Sequence, residues 1–336
     1  MLDYHTGWPF FLVVLSKLVL LTVTLVSIYF LRPVWLILAW TWYRTWRAGL
    51  KKHHLKITDE LQIAYLERKG NMANSEVLLF VHGFTGDKAI FCDVVRYLPT
   101  NYHVILIDLP GHGESKPNDD KSDYRPSVLV DYVHKFVKAY GFGDRKLCMI
   151  GSSMGGAIAG IYAARYSDES LSSVVLVCPA GIHSPEVTEF LKKSHDDLGK
   201  NVEGSVLLPN TTQEFNDMLH LVMYHKINMP SNIAMAFLEL KQMKADVHKK
   251  VMSDMKIDGE YLMLDKVLEE IQHPVLCVWG ENDQILHVSG SIVIKQRVKN
   301  AEIHVLDRCG HAVTLDRPRK LVKIITRFLE KVTTTT

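Results

Sequence analysis

The chain has 336 residues, of which 47% are hydrophobic and 23% are charged, and its formal net charge is +2. This balance argues against nucleic acid as a partner, because nucleic-acid-binding proteins usually carry a clustered basic excess. The apolar content is too high for a disordered chain, and the length suits one large domain or two small ones.

An apolar stretch from Trp8 to Leu31 is long enough to cross a hydrocarbon layer as a helix. Its sixteen Leu, Ile, Val and Phe residues, at about −0.3 to −0.6 kcal/mol each, outweigh the about +3 kcal/mol of Lys17. A cleaved signal peptide is the alternative, but it would have a basic start and a shorter apolar run, whereas Asp3 and His5 stand here. We therefore expect a short N-terminal tail over residues 1–7 and a transmembrane helix over 8–31.

Residues 32–54 form an aromatic and basic juxtamembrane segment. Its Trp and Tyr side chains are typical of a membrane interface, and they would also suit a short amphipathic helix packed on a globular domain. Basic residues follow the span and none precedes it, so the positive-inside rule places the large C-terminal part in the cytosol. We expect a single-pass protein of an endomembrane (endosomal, lysosomal or endoplasmic reticulum) or of the plasma membrane. The basic residues are Arg32, Arg44, Arg47, Lys51, Lys52 and Lys56.

The five cysteines are odd in number and show no metal-ligand spacing. Cys148, Cys178 and Cys277 each lie in an apolar run that predicts a buried strand. We interpret them as reduced core residues, which suits a cytosolic compartment.

Short apolar runs alternate with helical stretches from about residue 55 onward. Continuous apolarity indicates strands buried on both faces, and hence a mostly parallel sheet with helices on both sides, of the α/β doubly wound class. A pair of segments around "HHLKI" and "LQIAYL" is predicted to form an antiparallel edge. The predicted buried strands lie in "EVLLFVHG", "HVILIDLPGHG", "KLCMIGSS", "SVVLVCPAG", "PVLCVWGEND" and "EIHVLDRCGH".

Residues 182–272 interrupt this alternation, because they contain helical patterns and no clear buried strand. An insertion at this point would cover the carboxyl ends of the strands, where open α/β sheets bind ligands. We predict a helical lid over 182–272, between core segments 55–181 and 273–331, with a C-terminal tail over 332–336. Eight of the 12 methionines lie in this interval; they would offer a compliant surface for acyl chains or simply fill gaps in the lid.

The motif G-x-S-x-G occurs in "GSSMG" in one frame only, with Gly151 and Gly155 around Ser153. The motif lies between a predicted strand and a predicted helix, which is the position of a nucleophile elbow. Ser153 is therefore the predicted nucleophile, and Ser152 is excluded by the frame.

A serine nucleophile needs a base and an acid that orients the base. His311 follows the last predicted strand, and Asp283 follows the strand before it; Glu281 is the alternative acid. The chain order Ser153, Asp283, His311 is the order found in α/β-hydrolases.

Two backbone N–H groups are expected to stabilise the oxyanion. We assign one to Met154, the residue after the nucleophile, and the other to Phe84 in the loop after "EVLLFVHG". His82, His112 and Asp108 are interpreted as structural residues of loops beside the pocket.

These motifs together resemble the membrane-anchored monoacylglycerol lipases of the α/β-hydrolase domain-containing protein 6 type. The resemblance is carried by the N-terminal helix, "WYRTWR", "VHGFTGDKAIF", "DLPGHGES", "GSSMGG", "LVCPAG", "VWGENDQILHVSG" and "CGHAVTLDRPRK". It implies an α/β-hydrolase fold, hydrolysis of monoacylglycerols such as 2-arachidonoylglycerol and also of lysophospholipids, no cofactor and no metal. It maps the catalytic residues onto Ser153, Asp283 and His311. Asp316 departs from the glutamate expected in this family, and the lid is less similar than the core.

Two other functions use the same features differently. A carbon–carbon bond hydrolase of the ring-cleavage-product type has the same triad, but its soluble substrates would not require a membrane anchor. A catalytically silent hydrolase fold could serve as a membrane scaffold, although a scaffold has no physical need for all three catalytic groups. The string "HAVTLD", an H-x-x-x-x-D pattern of some acyltransferases, is interpreted as incidental.

Overall fold

The computed structural model describes residues 7–71, 76–166, 170–196 and 205–335, so positions 1–6 of the predicted N-terminal tail lie outside the described residues. Two helices open the chain, α1 (Gly7–Leu31) and α2 (Pro33–Arg47). Within α1, the 22 residues Phe10–Leu31 have a mean hydropathy of 2.5, so this segment is long and apolar enough to cross a bilayer. Its most apolar part is not buried against the rest of the described chain.

One eight-stranded sheet forms the centre of the domain, in the order β1-β2-β4-β3-β5-β6-β7-β8. The antiparallel edge is confirmed and extends one strand further, because β2 is antiparallel to both β1 and β4. All other neighbours are parallel. The strands are β1 (Lys51–Lys56), β2 (Gln62–Arg68), β3 (Val77–Val81), β4 (His103–Ile107), β5 (Leu147–Ser152), β6 (Leu171–Val177), β7 (Val275–Gly280) and β8 (Ala301–Leu306).

Strands β3, β4 and β7 are buried along their whole length, as their continuous apolar sequences predict. Short 3₁₀ helices lie at 88–91, 257–262 and 268–270. The remaining helices are α3 (Cys92–Val95), α4 (Pro126–Tyr140), α5 (Met154–Arg165), α6 (Glu189–Asp196), α7 (Thr212–Val222), α8 (Ser231–Gln242), α9 (Ala245–Asp254), α10 (Met263–Val267), α11 (Gly290–Arg297), α12 (Val313–Asp316) and α13 (Pro318–Thr335). Helix α13 continues through the described part of the predicted C-terminal tail.

Helices α6 to α10 lie between β6 and β7, and the described residues of this interval contain no strand. A small apolar cluster joins α7 to α8 and includes Phe215, Met218 and Leu238. Met235 and Met243 are instead exposed. Some methionines of this interval therefore pack between helices, and others form part of an accessible apolar surface.

Helix α2 packs on the domain with one face and is exposed on the other. Arg44 forms a 2.7 Å ion pair with Asp93 on α3, and Ile37 is buried. Helix α8 also packs against α2. Four tryptophans of α2 remain more than half exposed, so the segment has both properties expected from its sequence. They are Trp35, Trp40, Trp42 and Trp46.

The five cysteines are buried and free. Cys148 and Cys277 lie in β5 and β7 as predicted, whereas Cys178 lies one residue beyond the end of β6. The backbone of Cys178 has φ +41°, which ends the extended conformation at this point.

Candidate active site

Ser153 lies at the junction of β5 and α5, with φ +56° and ψ −120°. This conformation is rare for a residue with a side chain, and such strain is typical of functional turns. A Cβ at Gly151 would lie 2.0 Å from the carbonyl oxygen of Gly155, and one at Gly155 would lie 2.1 Å from that of Val81. Both flanking positions therefore require glycine, as the motif predicts, whereas Ser152 is the last residue of β5.

The loop after β3 approaches this turn closely. A Cβ at Gly83 would lie 3.0 Å from the Cβ and 3.6 Å from the Oγ of Ser153. Phe84 follows Gly83, and Met154 is the first residue of α5, so its N–H has no acceptor within the helix. Among the hydrogen bonds of the described residues, neither of these two N–H groups has an acceptor. Two unpaired donors are thus located beside the serine, and their binding of an oxyanion stays a prediction.

His311 and Asp283 form a hydrogen-bonded pair, with 2.7 Å between Nδ1 and Oδ2. The other carboxylate oxygen of Asp283 accepts the N–H groups of Ile285 at 2.8 Å and Leu286 at 3.0 Å. The Asp283 side chain is fully buried, and the His311 side chain is 12% exposed. Because a carboxylate only accepts, Nδ1 carries the proton and Nε2 keeps a lone pair.

Glu281, the alternative acid, is exposed, and its backbone N–H donates to the carbonyl of Leu306. Only Asp283 of the two carboxylates is bonded to His311. The geometry thus favours Asp283, the third residue after Gly280, as the acid of the site.

Residues 177–180 connect the serine to this pair. The N–H of Ser153 donates to Val177 at 2.9 Å, and its carbonyl accepts the N–H of Ala180 at 3.0 Å. Between them, the Sγ of Cys178 lies within 4.8 Å of a carboxylate oxygen of Asp283 and a ring nitrogen of His311. In the described part of the chain, Ser153 Oγ makes no hydrogen bond, and the imidazole ring of His311 is hydrogen-bonded through Nδ1 alone.

Cys178, Asp283 and His311 are spaced closely enough to hold a metal ion. Burial, together with the charge of Asp283, raises the pKa of the Cys178 thiol well above its usual value. A protonated thiol is a poor metal ligand, and the carboxylate and imidazole are bonded to each other. The arrangement therefore fits a charge-stabilised imidazole better than a metal centre.

Asp316 has a role that the sequence analysis missed. Its Oδ2 accepts the N–H of Gly310 at 2.8 Å and the N–H of Tyr224 at 2.9 Å. The N–H of Ala312 donates to Val222, the last residue of α7. The loop that carries His311 is thus tied to the helical interval between β6 and β7, which is the predicted lid. In the sequence, the H-x-x-x-x-D spacing of His311 and Asp316 points to this residue, and the structure shows that Asp316 is a structural carboxylate.

His82 and Asp108 have structural roles, as the sequence predicts. His82 donates from Nδ1 to the carbonyl of Gly83 at 2.8 Å and accepts the N–H of Leu109 at Nε2. It therefore holds the loop that approaches Ser153. Asp108 accepts from the Lys88 ammonium at 2.5 Å and from the Glu114 backbone N–H. Burial lowers the pKa of His82, so this imidazole is neutral.

Residues 76–318 match a protein family described as alpha/beta hydrolase fold. The chain is 31% identical over 333 residues to monoacylglycerol lipase abhd6-A of Xenopus laevis, covering 97% of this chain and 96% of that protein. It is 30% identical over 308 residues to the human monoacylglycerol lipase ABHD6, covering 91% and 90% of the two chains. The crystal structure of a membrane phospholipase A, described as a bacterial virulence factor, superposes with a TM-score of 0.80 at 29% identity. It covers 95% of this chain and 98% of that one.

Proposed function

The chain belongs to the alpha/beta hydrolase fold family and is a carboxylic ester hydrolase of the lipase type, and we propose that it is a membrane-anchored monoacylglycerol lipase. The observation that carries the proposal is the Asp283–His311 pair at 2.7 Å, which residues 177–180 link to the strained turn at Ser153. The names of the two monoacylglycerol lipases point to the same substrate class.

In the proposed reaction, the Oγ of Ser153 attacks the ester carbonyl while Nε2 of His311 accepts its proton. The developing imidazolium is stabilised by the carboxylate of Asp283. The N–H groups of Phe84 and Met154 bind the oxyanion, and each such donor contributes on the order of 3 kcal/mol to transition-state stabilisation. The glycerol leaves with the proton of His311, and a water molecule then attacks the acyl-enzyme by the same route. This sequence of steps needs no cofactor.

The proposed membrane anchor is α1, with the catalytic domain on the cytosolic side of an endomembrane or the plasma membrane. The exposed tryptophans of α2 suit the interfacial region that borders the span. Because α8 of the lid packs on α2, the lid lies close to the proposed bilayer surface. Amphipathic substrates such as 2-arachidonoylglycerol, and lysophospholipids, would then reach the site from the same leaflet.

The test is glycerol release from 2-arachidonoylglycerol by the purified full-length chain in mixed micelles, with Ser153→Ala as the matched control. The proposal expects release by the wild-type chain and none above background by the variant. Release at equal rates by both chains, or by neither, would contradict it. Neutral triacylglycerol and a soluble short-chain ester in parallel reactions would show whether monoacylglycerol is preferred.

A further inference from the structure

A cavity of about 270 Å³ lies between the lid and the loop after β3. It has room for a phosphate group and a few waters, since a water molecule occupies ~30 Å³ of the liquid. None of the described residues that line it is acidic. Its polar side chains belong to Thr85, Asn210, Lys241, Gln242, His248 and Lys249.

Lys241, on α8, is a cation of the cavity wall that no described acidic side chain pairs with. Its side chain is half-buried in the cavity wall, and no hydrogen bond or ion pair joins it to another described residue. Burial lowers its pKa to about 8, and the opposing influence of Asp87 is the smaller of the two. A partly dehydrated cation without a counter-ion is unfavourable unless a ligand supplies the opposite charge.

The cavity adjoins the proposed oxyanion site. Thr85, in its wall, directly follows Phe84, and the Phe84 ring lies 6.0 Å from the ring of His248. Burial and the neighbouring Lys241 lower the pKa of His248 to about 3, so this imidazole is neutral and can donate one N–H. A substrate group in the cavity would therefore be located close to the ester carbonyl.

The chemistry of the walls identifies which part of a lipid would lie there. An acyl chain would dehydrate the Lys241 ammonium further and leave it without a counter-ion. The alcohol side of the ester carries the headgroup, and a phosphoryl headgroup offers the anionic oxygens that a lysine and several neutral donors bind well.

We propose that this cavity binds the phosphoryl group of lysophospholipids, with Lys241 as its counter-ion. The inference rests on the proposed ester hydrolysis at Ser153 and adds a specificity-determining site to it. Monoacylglycerol has no anionic group, so its binding does not depend on the charge of Lys241. The charge of Lys241 therefore affects the binding of lysophospholipids but not of monoacylglycerols, whereas both substrates use the same catalytic groups.

The experiment compares hydrolysis of 1-oleoyl-lysophosphatidate and 1-oleoylglycerol by the full-length chain in mixed micelles. Lys241→Met is expected to raise KM for the lysophosphatidate about tenfold and to leave KM for oleoylglycerol unchanged. Lys241→Arg should retain lysophosphatidate binding. Lys226→Met, which removes an exposed lid lysine, is the matched control and should behave like the wild type. A thermal midpoint for Lys241→Met no lower than that of the wild type would show that the variant is folded.

Inorganic phosphate distinguishes a lipid headgroup from the free ion. Competition of phosphate with lysophosphatidate, weakened in Lys241→Met, would support the headgroup site. Phosphate inhibition without any lysophosphatidate hydrolysis would overturn it in favour of a site for the free ion. Equal KM changes for both substrates in a folded Lys241→Met would overturn it while the proposed function stands. If the wild type cleaves neither substrate, the proposed function fails as well.

Discussion

His311 donates through Nδ1 to the buried carboxylate of Asp283 across 2.7 Å. The two backbone N–H groups on the opposite carboxylate oxygen fix the acid, and the acid in turn fixes the imidazole. This leaves Nε2 as the basic nitrogen, which is the tautomer that proton removal from a serine requires.

Asp283→Asn is expected to lower kcat by about 10⁴-fold, because an amide stabilises the wrong imidazole tautomer. The measurement is turnover of a soluble short-chain ester, with the thermal midpoint as a check on folding. Glu281→Gln is the matched control, since Glu281 is exposed, and it should retain activity. Full activity in Asp283→Asn would indicate that Glu281, and not Asp283, orients the imidazole.

Gly83→Ala is expected to lower kcat by about 10²-fold, because its new Cβ would displace the nucleophile, and small displacements of reacting groups have effects of this size. The Cβ would lie 3.0 Å from the Cβ of Ser153 and 3.1 Å from the carbonyl oxygen of Ser152. Turnover of a soluble ester measures this effect.

Gly143→Ala serves as the control for Gly83→Ala. Gly143 has φ +60° but no heavy atom within 4 Å of an added Cβ. We expect it to lower the thermal midpoint through backbone strain and to leave turnover unchanged. If both variants lost the same fraction of activity, the contact between Gly83 and Ser153 would not explain the effect.

Three buried histidines are expected to make the fold sensitive to acid. The rings of His82 and His248 each lie 5.1 Å from that of His112. Burial lowers the pKa of all three, that of His112 well below its usual value and that of His248 to about 3. Below the unfolded pKa of about 6.5, the unfolded chain therefore binds more protons than the folded chain, and stability falls as the pH falls.

His112→Met should make the thermal midpoint less dependent on pH between 7.5 and 5, because one of these groups no longer titrates. The Nε2 of His112 is buried without a partner in the described structure, so the only side-chain hydrogen bond that the variant loses there is the one to the carbonyl of Pro110. Exposed His225→Met is the control and should keep the wild-type slope. An unchanged slope in His112→Met would exclude His112 as a source of the acid sensitivity.

Removal of residues 1–31 should weaken membrane association and leave hydrolysis of a soluble ester unchanged. The reason is that α2 retains its contacts with the domain, including the ion pair between Arg44 and Asp93. Liposome flotation and ester turnover are the two measurements. Residual binding, reduced further by Trp42→Ser and Trp46→Ser, would reflect the exposed rings of α2. Loss of ester turnover on truncation would mean that α1 supports the catalytic fold.

The sheet was predictable because burial on both faces demands uninterrupted apolar runs, and β3, β4 and β7 have them. The turn at Ser153 was predictable for a similar reason, since only glycine fits at positions 151 and 155. Local patterns of this kind depend on few neighbours, so the sequence carries them directly.

Contacts between distant segments were not predictable. The bonds from Asp316 to Gly310 and Tyr224, and the packing of α8 on α2, depend on how the helices between β6 and β7 pack on the rest of the chain. Nor does any local pattern indicate that Lys241 and His248 line the same cavity. The positions of these side chains and helices follow from tertiary packing, which the periodicity of a single sequence does not encode.

The measurement that tests the account most directly is labelling with a fluorophosphonate, followed by peptide mass mapping. A fluorophosphonate reacts with a serine only when a base activates it. We expect one adduct on Ser153 in the wild type and in Ser152→Ala, and none in Ser153→Ala. An adduct on Ser152, or a folded wild-type chain that does not react, would contradict it.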